Sequence, residues 1–297
     1  MSAAATERDA ALQRAMPWVF VLIWSTGFVV ARVGMPLSPP ITFLAIRFAL
    51  SALCFAAWIA IARPSWPQGR SQWSHLAVTG VLMQAGYLGG VWAAVKLGLG
   101  AGTVALLVGL QPVLTALWLA HSSTADRRHA ASAMQWLGLL MGLAGLTLVV
   151  WRKLHAGEMS AANVALALGA LLSITAGTLY QKRHVLPCDV RTASLVQLIA
   201  ALVVSLPFAL AESESIQWTP AFVGAMAWSV LVLTLGGSSF LYLLIQRGAA
   251  TRVTSLLYLV PPCTALMAWA MFGETLSVLM ALGMGLTAVG VALVLRA

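Results

Sequence analysis

The sequence has very little charge for its length. Of its 297 residues only 8% are Asp, Glu, Lys or Arg, whereas 61% are hydrophobic. A soluble domain carries roughly 25% charged residues, so this chain could not cover a water-facing surface. A soluble globular fold is therefore excluded, and the sequence predicts an integral membrane protein.

Cysteine and catalytic motifs are scarce as well. The three cysteines, Cys54, Cys188 and Cys263, lie far apart and lack the spacing of metal ligands. The chain has no Gly-x-Ser-x-Gly, no His-Glu-x-x-His and no Walker-type phosphate loop. We therefore expect neither catalysis, nor a metal or cofactor, nor a need for an ATPase partner. The oligomeric state is left open.

What the chain does have is long apolar runs. About 20 apolar residues are needed for a helix to cross a bilayer. Ten runs meet this requirement, and they predict ten transmembrane helices at 17–33, 40–62, 73–94, 102–120, 133–151, 162–181, 190–211, 218–245, 252–272 and 276–295. The fold class is thus an all-α membrane protein.

The basic residues predict the orientation of these helices. The net charge of +9 comes from Lys and Arg at the ends of the apolar runs, a pattern typical of membrane topology rather than of nucleic-acid binding. With the N-terminus inside, twelve of them fall on the inner side and three on the outer side, with Arg32 and Arg47 inside spans. Both termini are therefore predicted to be cytoplasmic.

The second half of the chain repeats the first at a shift of 150 residues. Gly27 then matches Gly177, and Pro112 matches Pro262. The predicted repeats are 17–151 and 162–296. Each repeat holds an odd number of spans, so the second copy enters the membrane upside down relative to the first. This is an inverted-topology repeat, typical of membrane carriers.

Several short motifs of the chain resemble those of a known family of membrane proteins. The run Leu-Ile-Trp-Ser-Thr-Gly-Phe at 22–28, the run Phe-Leu-Ala-Ile-Arg-Phe at 43–48, Gly273-Glu274 after the ninth span and the glycine-rich last span resemble the EamA-type repeat of the drug/metabolite transporter superfamily. The resemblance covers about residues 17–296. It implies a bacterial inner-membrane carrier of ten spans that exports or exchanges small metabolites, among them amino acids, by alternating access.

The predicted spans lack a carboxylate or imidazole near the bilayer centre. All eight acidic residues and all five histidines fall in loops, termini or span ends. Proton-coupled pumps and pumps for hydrophobic cations place such a group in the substrate path. The sequence therefore predicts transport without a protein-borne proton carrier, and a substrate that is not a simple hydrophobic cation.

Polar and aromatic side chains inside the spans are candidates for a substrate cavity. They are Trp24, Ser25, Gln84, Tyr87, Gln111, Tyr180, Ser238, Tyr242 and Tyr258. Neutral donors, acceptors and ring faces suit a zwitterion such as an amino acid, aromatic ones included. A di-anionic phosphate would require several Lys or Arg.

Arg47 is a further candidate, because a cation about seven residues into a span costs several kcal/mol unless it has a partner. Two interpretations remain open. Arg47 attracts a substrate carboxylate, or it binds helix-end carbonyls and holds the repeats together.

Prolines interrupt the fourth and ninth spans at matching places, Pro112 in one and Pro261 and Pro262 in the other. A proline removes a helical hydrogen bond, and the freed carbonyl must be covered by protein or by a water-filled cavity. The symmetric breaks predict a central cavity flanked by hinges. The alternative is two static kinks that only shape packing.

Two other functions remain open. The first is a carrier of sugar-phosphates or nucleotide-sugars with the same fold, which would require a basic cavity. The second is a non-transporting membrane scaffold or a subunit of a lipid-modifying complex. In every case the chain is embedded in membrane lipid, and for the carriers the partner is a small-molecule substrate.

Overall fold

The computed structural model describes residues 3–111, 160–237 and 259–274, together with 114–115, 118, 136–137, 140–141, 144, 278, 281–286 and 288–289. Side chains are described from residue 19 onward. The described residues form helices joined by short connections, and none of them forms a strand. This agrees with the predicted all-α class.

Nine α-helices and two π-helical segments make up the described architecture. In chain order they are α1 (Ala3–Gly34), α2 (Pro40–Ala62), α3 (Arg70–Gly80), a first π-helical segment (Val81–Gly86), α4 (Tyr87–Lys96), α5 (Ala101–Val108), α6 (Ala161–His184), α7 (Val190–Ala211), α8 (Pro220–Ala227), a second π-helical segment (Trp228–Gly237) and α9 (Val260–Phe272).

Five continuous helical segments of the described chain are long and apolar enough to cross a membrane. They are Pro40–Ala62, Arg70–Lys96, Ala161–His184, Val190–Ala211 and Pro220–Gly237. Two shorter apolar helices, Val19–Gly34 and Val260–Phe272, coincide with parts of the first and ninth predicted spans. Most of the fifth and tenth predicted spans lies outside the described residues.

The fourth predicted span, 102–120, differs from expectation because its first α-helix is short. Helix α5 ends at Val108, and a turn follows at residues 109–110. Val108 lies four residues before Pro112, where a proline ring conflicts with the helical carbonyl. The break predicted from Pro112 thus coincides with the observed end of α5.

Helices α2 and α7, which match each other in the repeat, run antiparallel. At the start of α2, the Thr42 hydroxyl donates to the Ala209 carbonyl near the end of α7, at 3.2 Å. At the start of α7, the Thr192 hydroxyl donates to the Ser65 carbonyl just beyond α2, also at 3.2 Å. Equivalent helices that lie antiparallel are what an inverted repeat requires.

Several other helix contacts also occur in equivalent pairs, one for each repeat. Helix α1 packs against α9 and the second π-helical segment, and its counterpart α6 packs against α5 and the first π-helical segment. Helices α5 and α9, which match each other, are also in contact. The described core is therefore organised about an approximate two-fold relation between the halves.

Glycines allow the third span to approach its neighbours closely. A Cβ added at Gly80 would collide with the backbone of Gln197 in α7, and one added at Gly90 would fall 2.7 Å from the Leu166 carbonyl oxygen in α6. Close backbone approach replaces the hydrophobic effect as a source of stability inside lipid. Aromatic stacking of Phe43 on Trp92, with ring centroids 4.4 Å apart, fills the space between α2 and α4.

The start of α7 is fixed by its own carboxylate. Asp189 accepts hydrogen bonds from the Arg191 backbone N–H at 2.9 Å and from Arg191 Nη2 at 2.7 Å. The Arg191 guanidinium beside it holds the pKa of Asp189 below its usual value, against the opposing effect of partial burial. This cap lies in the connection between α6 and α7.

We expect Gly90→Ala to destabilise the protein, because its methyl group would also fall 2.9 Å from Ala170 Cβ in α6. Overpacking of this kind costs about 1–3 kcal/mol. The matched control is Gly169→Ala, on an exposed face of α6 with nothing within 4 Å of the added Cβ. Thermal unfolding in detergent should show a lower Tm for the first variant and an equal or higher Tm for the second. Equal Tm values for both would contradict the observed packing.

Candidate functional site

The two π-helical segments occupy equivalent places in the two repeats. A shift of 150 residues moves Val81–Gly86 onto residues 231–236, inside the segment Trp228–Gly237. Such segments are uncommon, and they occur frequently at functional sites. They border most of the candidate cavity residues that the structure describes.

Each π-helical segment leaves a backbone carbonyl for a hydroxyl group to bind. In the first segment the Leu82 carbonyl accepts from Ser173 Oγ of α6 at 2.8 Å. In the second, the Ser229 carbonyl accepts from Thr234 Oγ1 at 2.8 Å. The sequence does not reveal either π-helical segment or these two hydroxyl–carbonyl contacts.

The first-span candidates lie between the second π-helical segment and α9. The Trp24 ring contacts Phe20 and borders Gly237. Ser25 is fully buried, and its hydroxyl donates to the Val21 carbonyl at 2.7 Å and more weakly to the Val260 carbonyl at 3.4 Å. Ser25 therefore joins α1 to α9 in this conformation.

Gln84, Tyr87 and Gln111 belong to the third and fourth spans. Gln84 lies in the first π-helical segment, is half-buried, and makes no side-chain hydrogen bond to a described residue. Tyr87 follows directly and is 6% exposed. Gln111 Nε2 donates to Thr178 Oγ1 of α6 at 2.9 Å, which ties the end of α5 to α6.

Arg47 of α2 points at the second π-helical segment. Its Nε and Nη2 atoms donate to Thr234 Oγ1 at 3.2 and 3.1 Å. The expected bonds to helix-end carbonyls are not found among the described residues. The partner is instead a hydroxyl group in an irregular part of the eighth span.

Tyr180 has a different environment from the other candidates. Its hydroxyl forms a 2.8 Å hydrogen bond with His75 Nδ1 of α3, and its ring lies against His184 at the end of α6. The second His75 nitrogen bonds the Ser71 hydroxyl at 3.0 Å. In this conformation Tyr180 belongs to a contact between the start of α3 and the end of α6.

Pro261, at the start of α9, lies against the end of α5. Pro261 and Pro262 occupy the first turn of α9, where a missing N–H leaves no helical bond unmade. A Cβ added at Gly109, just after α5, would fall 2.8 Å from Pro261 Cγ. The end of α5 therefore touches the start of α9. Pro112, Ser238, Tyr242 and Tyr258 lie outside the described residues.

Carboxylates close the helix ends that are predicted to face outward. Glu212 accepts from the backbone N–H groups of Ile41 at 3.0 Å and Thr42 at 2.7 Å. Glu274 Oε1 accepts from the Ala101 N–H at the start of α5, at 3.0 Å. Carboxylates stabilise helix N-termini through hydrogen bonds and the helix dipole. The sequence analysis had placed these acids in loops and at span ends without a partner.

A lysine adds to the same surface. Lys96 Nζ lies 2.6 Å from Glu214 Oε1 and donates to the Met35 carbonyl at 2.9 Å. The ends of α1, α4 and α7 are thereby linked. Together with Glu212 and Glu274, these groups form a set of polar contacts at one end of the helices.

The fold and the site define a class of protein, a helical membrane transporter. The sequence profile of the EamA-like transporter family matches the chain twice, at residues 16–151 and 162–296. The chain belongs to this family, which confirms the resemblance inferred from the motifs and places the chain in the drug/metabolite transporter superfamily.

Relatives with transporter names cover most of the chain. The uncharacterized transporter YvbV of Bacillus subtilis is 27% identical over 81% of this chain and 77% of its own length. The uncharacterized inner membrane transporter YedA of Escherichia coli is 25% identical over 92% and 87%. A probable amino-acid metabolite efflux pump of Salmonella typhimurium is 25% identical over 86% of both chains.

A solved crystal structure resembles the fold with a TM-score of 0.66 at 18% sequence identity, covering 94% of each chain. This likeness concerns the fold alone.

We expect Glu212→Ala to lower the Tm, because the N-terminus of α2 loses its carboxylate cap at a cost of about 0.5–2 kcal/mol. Glu214→Ala, two residues away, is the matched control, since it removes only a partly exposed ion pair with Lys96. Thermal unfolding of both variants in detergent measures the difference. An equal loss of stability in the two variants would contradict the capping role.

Proposed function

We propose that this EamA-family transporter exports or exchanges amino acids, aromatic ones among them, by alternating access. The observation that carries the proposal is the chemistry around the π-helical segments. Hydroxyl, amide and aromatic groups cluster there, and every described carboxylate is engaged elsewhere, at a helix end. A neutral lining of this kind suits a zwitterion with a variable side chain.

The proposal includes the topology. Ten spans form two inverted repeats, 17–151 and 162–296, with both termini in the cytoplasm of a cell whose inner membrane holds the protein. The antiparallel contact of α2 with α7 supports the inversion. The predicted bias of Lys and Arg supports the orientation.

Two further observations support the substrate and the energetics. A relative bears the name of a probable amino-acid metabolite efflux pump. No carboxylate of the described residues lies beside the π-helical segments to carry a proton during transport. The transporter therefore moves its substrate downhill, as a uniporter or an exchanger.

Reconstitution tests this proposal directly. Purified protein in empty vesicles should take up labelled amino acids from a panel, and uptake should continue after a pH gradient has been collapsed. Uptake that stops when the gradient collapses would overturn the downhill mechanism. Uptake of sugar-phosphates in place of amino acids would overturn the substrate class.

The contact between α5 and α9 supports the proposal that Pro112, Pro261 and Pro262 form hinges. Replacing both Pro112 and Pro262 with alanine removes two rings that prevent a helix from continuing through these positions, so the spans should bend less readily. We expect transport to slow more than substrate binding weakens. The measurements are the uptake rate in vesicles and the Kd in detergent.

The control for the hinge is Pro207→Ala, inside α7 on its exposed face and without a proline at the matching position of the first repeat. This variant should leave the uptake rate near that of the native protein. If the double variant lost rate and affinity equally, or lost neither, the prolines would be static kinks.

A further inference from the structure

A buried cation lies between the second, third and eighth spans. Arg47 is 7% exposed, yet its two hydrogen bonds both end on one neutral atom, Thr234 Oγ1. The Thr234 hydroxyl donates its own hydrogen bond to the Ser229 carbonyl at 2.8 Å, so its oxygen can only accept from Arg47. The other N–H groups of the guanidinium have no partner among the described residues.

The four carboxylates whose side chains the structure describes are all engaged elsewhere. Asp189 pairs with Arg191, and Glu214 pairs with Lys96. Glu212 and Glu274 bind the backbone N–H groups that open α2 and α5. Leaving a buried charge without a counter-charge costs several kcal/mol. Among the described residues, Arg47 has no counter-charge to offset this free-energy cost. A buried cation of this kind is expected where the protein binds an anion.

Hydroxyl groups without partners occur on the same three spans. Tyr87, in the third span, is 6% exposed, and its hydroxyl makes no hydrogen bond to a described residue. Ser51, one helical turn beyond Arg47 in α2, and Ser229 of the second π-helical segment are fully buried, and no described atom pairs with either Oγ. Buried polar groups normally have partners, and these require an explanation.

We propose that Arg47, held by Thr234 and assisted by the Tyr87 hydroxyl, binds the carboxylate of the transported molecule. This deepens the proposed function and rests on it for the identity of the cargo. A guanidinium presents parallel N–H groups that match the two oxygens of a carboxylate. A single cation suits a mono-anion, whereas a phosphate dianion would require more positive charge.

The second π-helical segment connects this anion site to the rest of the candidate cavity. Thr234 lies in the same segment as Gly237, which borders the Trp24 ring, and as Trp228, whose Nε1 donates to Thr26 Oγ1 at 2.9 Å. A substrate whose carboxylate meets Arg47 would thus have the aromatic groups of the first and eighth spans within its surroundings. The site selects for the acid group and leaves the side chain variable.

A matched set of ligands tests the inference. L-Phenylalanine, its amide and phenethylamine share a ring and an amine, but only the first has a carboxylate. Competition against a labelled amino acid should show the amide and the amine binding at least about tenfold more weakly than the acid. Equal binding of acid and amide by the native protein would overturn the anion site, whatever the transport assay shows.

Variants assign the preference to Arg47. Arg47→Gln should remove the discrimination between acid and amide, because the positive charge is lost. Arg47→Lys should reduce it, because the paired N–H groups of the guanidinium are lost, and Thr234→Val should reduce it, because the hydroxyl that positions Arg47 is lost. Arg63→Gln, an exposed arginine after α2, is the matched control and should retain the native preference. If Arg47→Gln does not fold, Arg47→Lys and Thr234→Val decide, and native discrimination in both would overturn the inference.

A second arm separates this site from the proposed cargo. Acetate should raise the Tm of the native protein and of Arg63→Gln relative to acetamide at equal ionic strength. The effect should be smaller in Arg47→Lys and absent in Arg47→Gln. If acetate acts this way but no amino acid is transported, the anion site stands and the amino-acid cargo falls. If acetate and acetamide act alike on the native protein, the anion site falls.

Discussion

Inside a bilayer no water is present to bind a bare backbone N–H or carbonyl group, and each unmet group costs several kcal/mol. Every irregularity described above has its partner. The Leu82 carbonyl binds Ser173, the Ser229 carbonyl binds Thr234, and the N-termini of α2 and α5 bind Glu212 and Glu274. This requirement explains why polar side chains of an apolar protein lie beside its helix breaks and helix ends.

The two halves satisfy this requirement differently. Glu212 matches Ala62 of the first repeat, and Glu274 matches Thr124. On the side where α7 begins, the corresponding contact to the end of α2 is a neutral one, from Thr192 to the Ser65 carbonyl. The contacts between α2 and α7 therefore involve a carboxylate at one end of the pair and only neutral groups at the other. The energies needed to separate the helices at the two ends need not be equal, although the helix arrangement repeats.

Much of the fold could be predicted from the sequence. The spans 40–62 and 190–211 have the predicted bounds, because the thickness of a bilayer fixes the length of an apolar helix. The proline positions also marked where α5 ends and α9 begins, since a proline cannot extend a helix from within.

The details of the site could not be predicted in the same way. A π-helical turn adds one residue to a helix, and this leaves no trace in a segment that is apolar on all sides. The partners of Arg47 and Glu212 are 187 and 170 residues away in the chain, so spacing alone could not identify them. Tyr180 is a candidate cavity residue because of its place inside a span, but the sequence does not reveal that its hydroxyl bonds His75 of another helix.

The meeting of α5 and α9 has an evolutionary consequence. Gly109 and Pro261 belong to different halves, yet they lie so close that no space remains for a methyl group between them. This contact resembles one at the centre of a homodimer interface. In a homodimer both residues are encoded by one gene position, whereas here Gly109 and Pro261 are separate positions and can be substituted independently. Substitutions that enlarge Gly109 should therefore appear in related sequences together with a smaller or displaced residue at 261, as a correlated pair across the duplication.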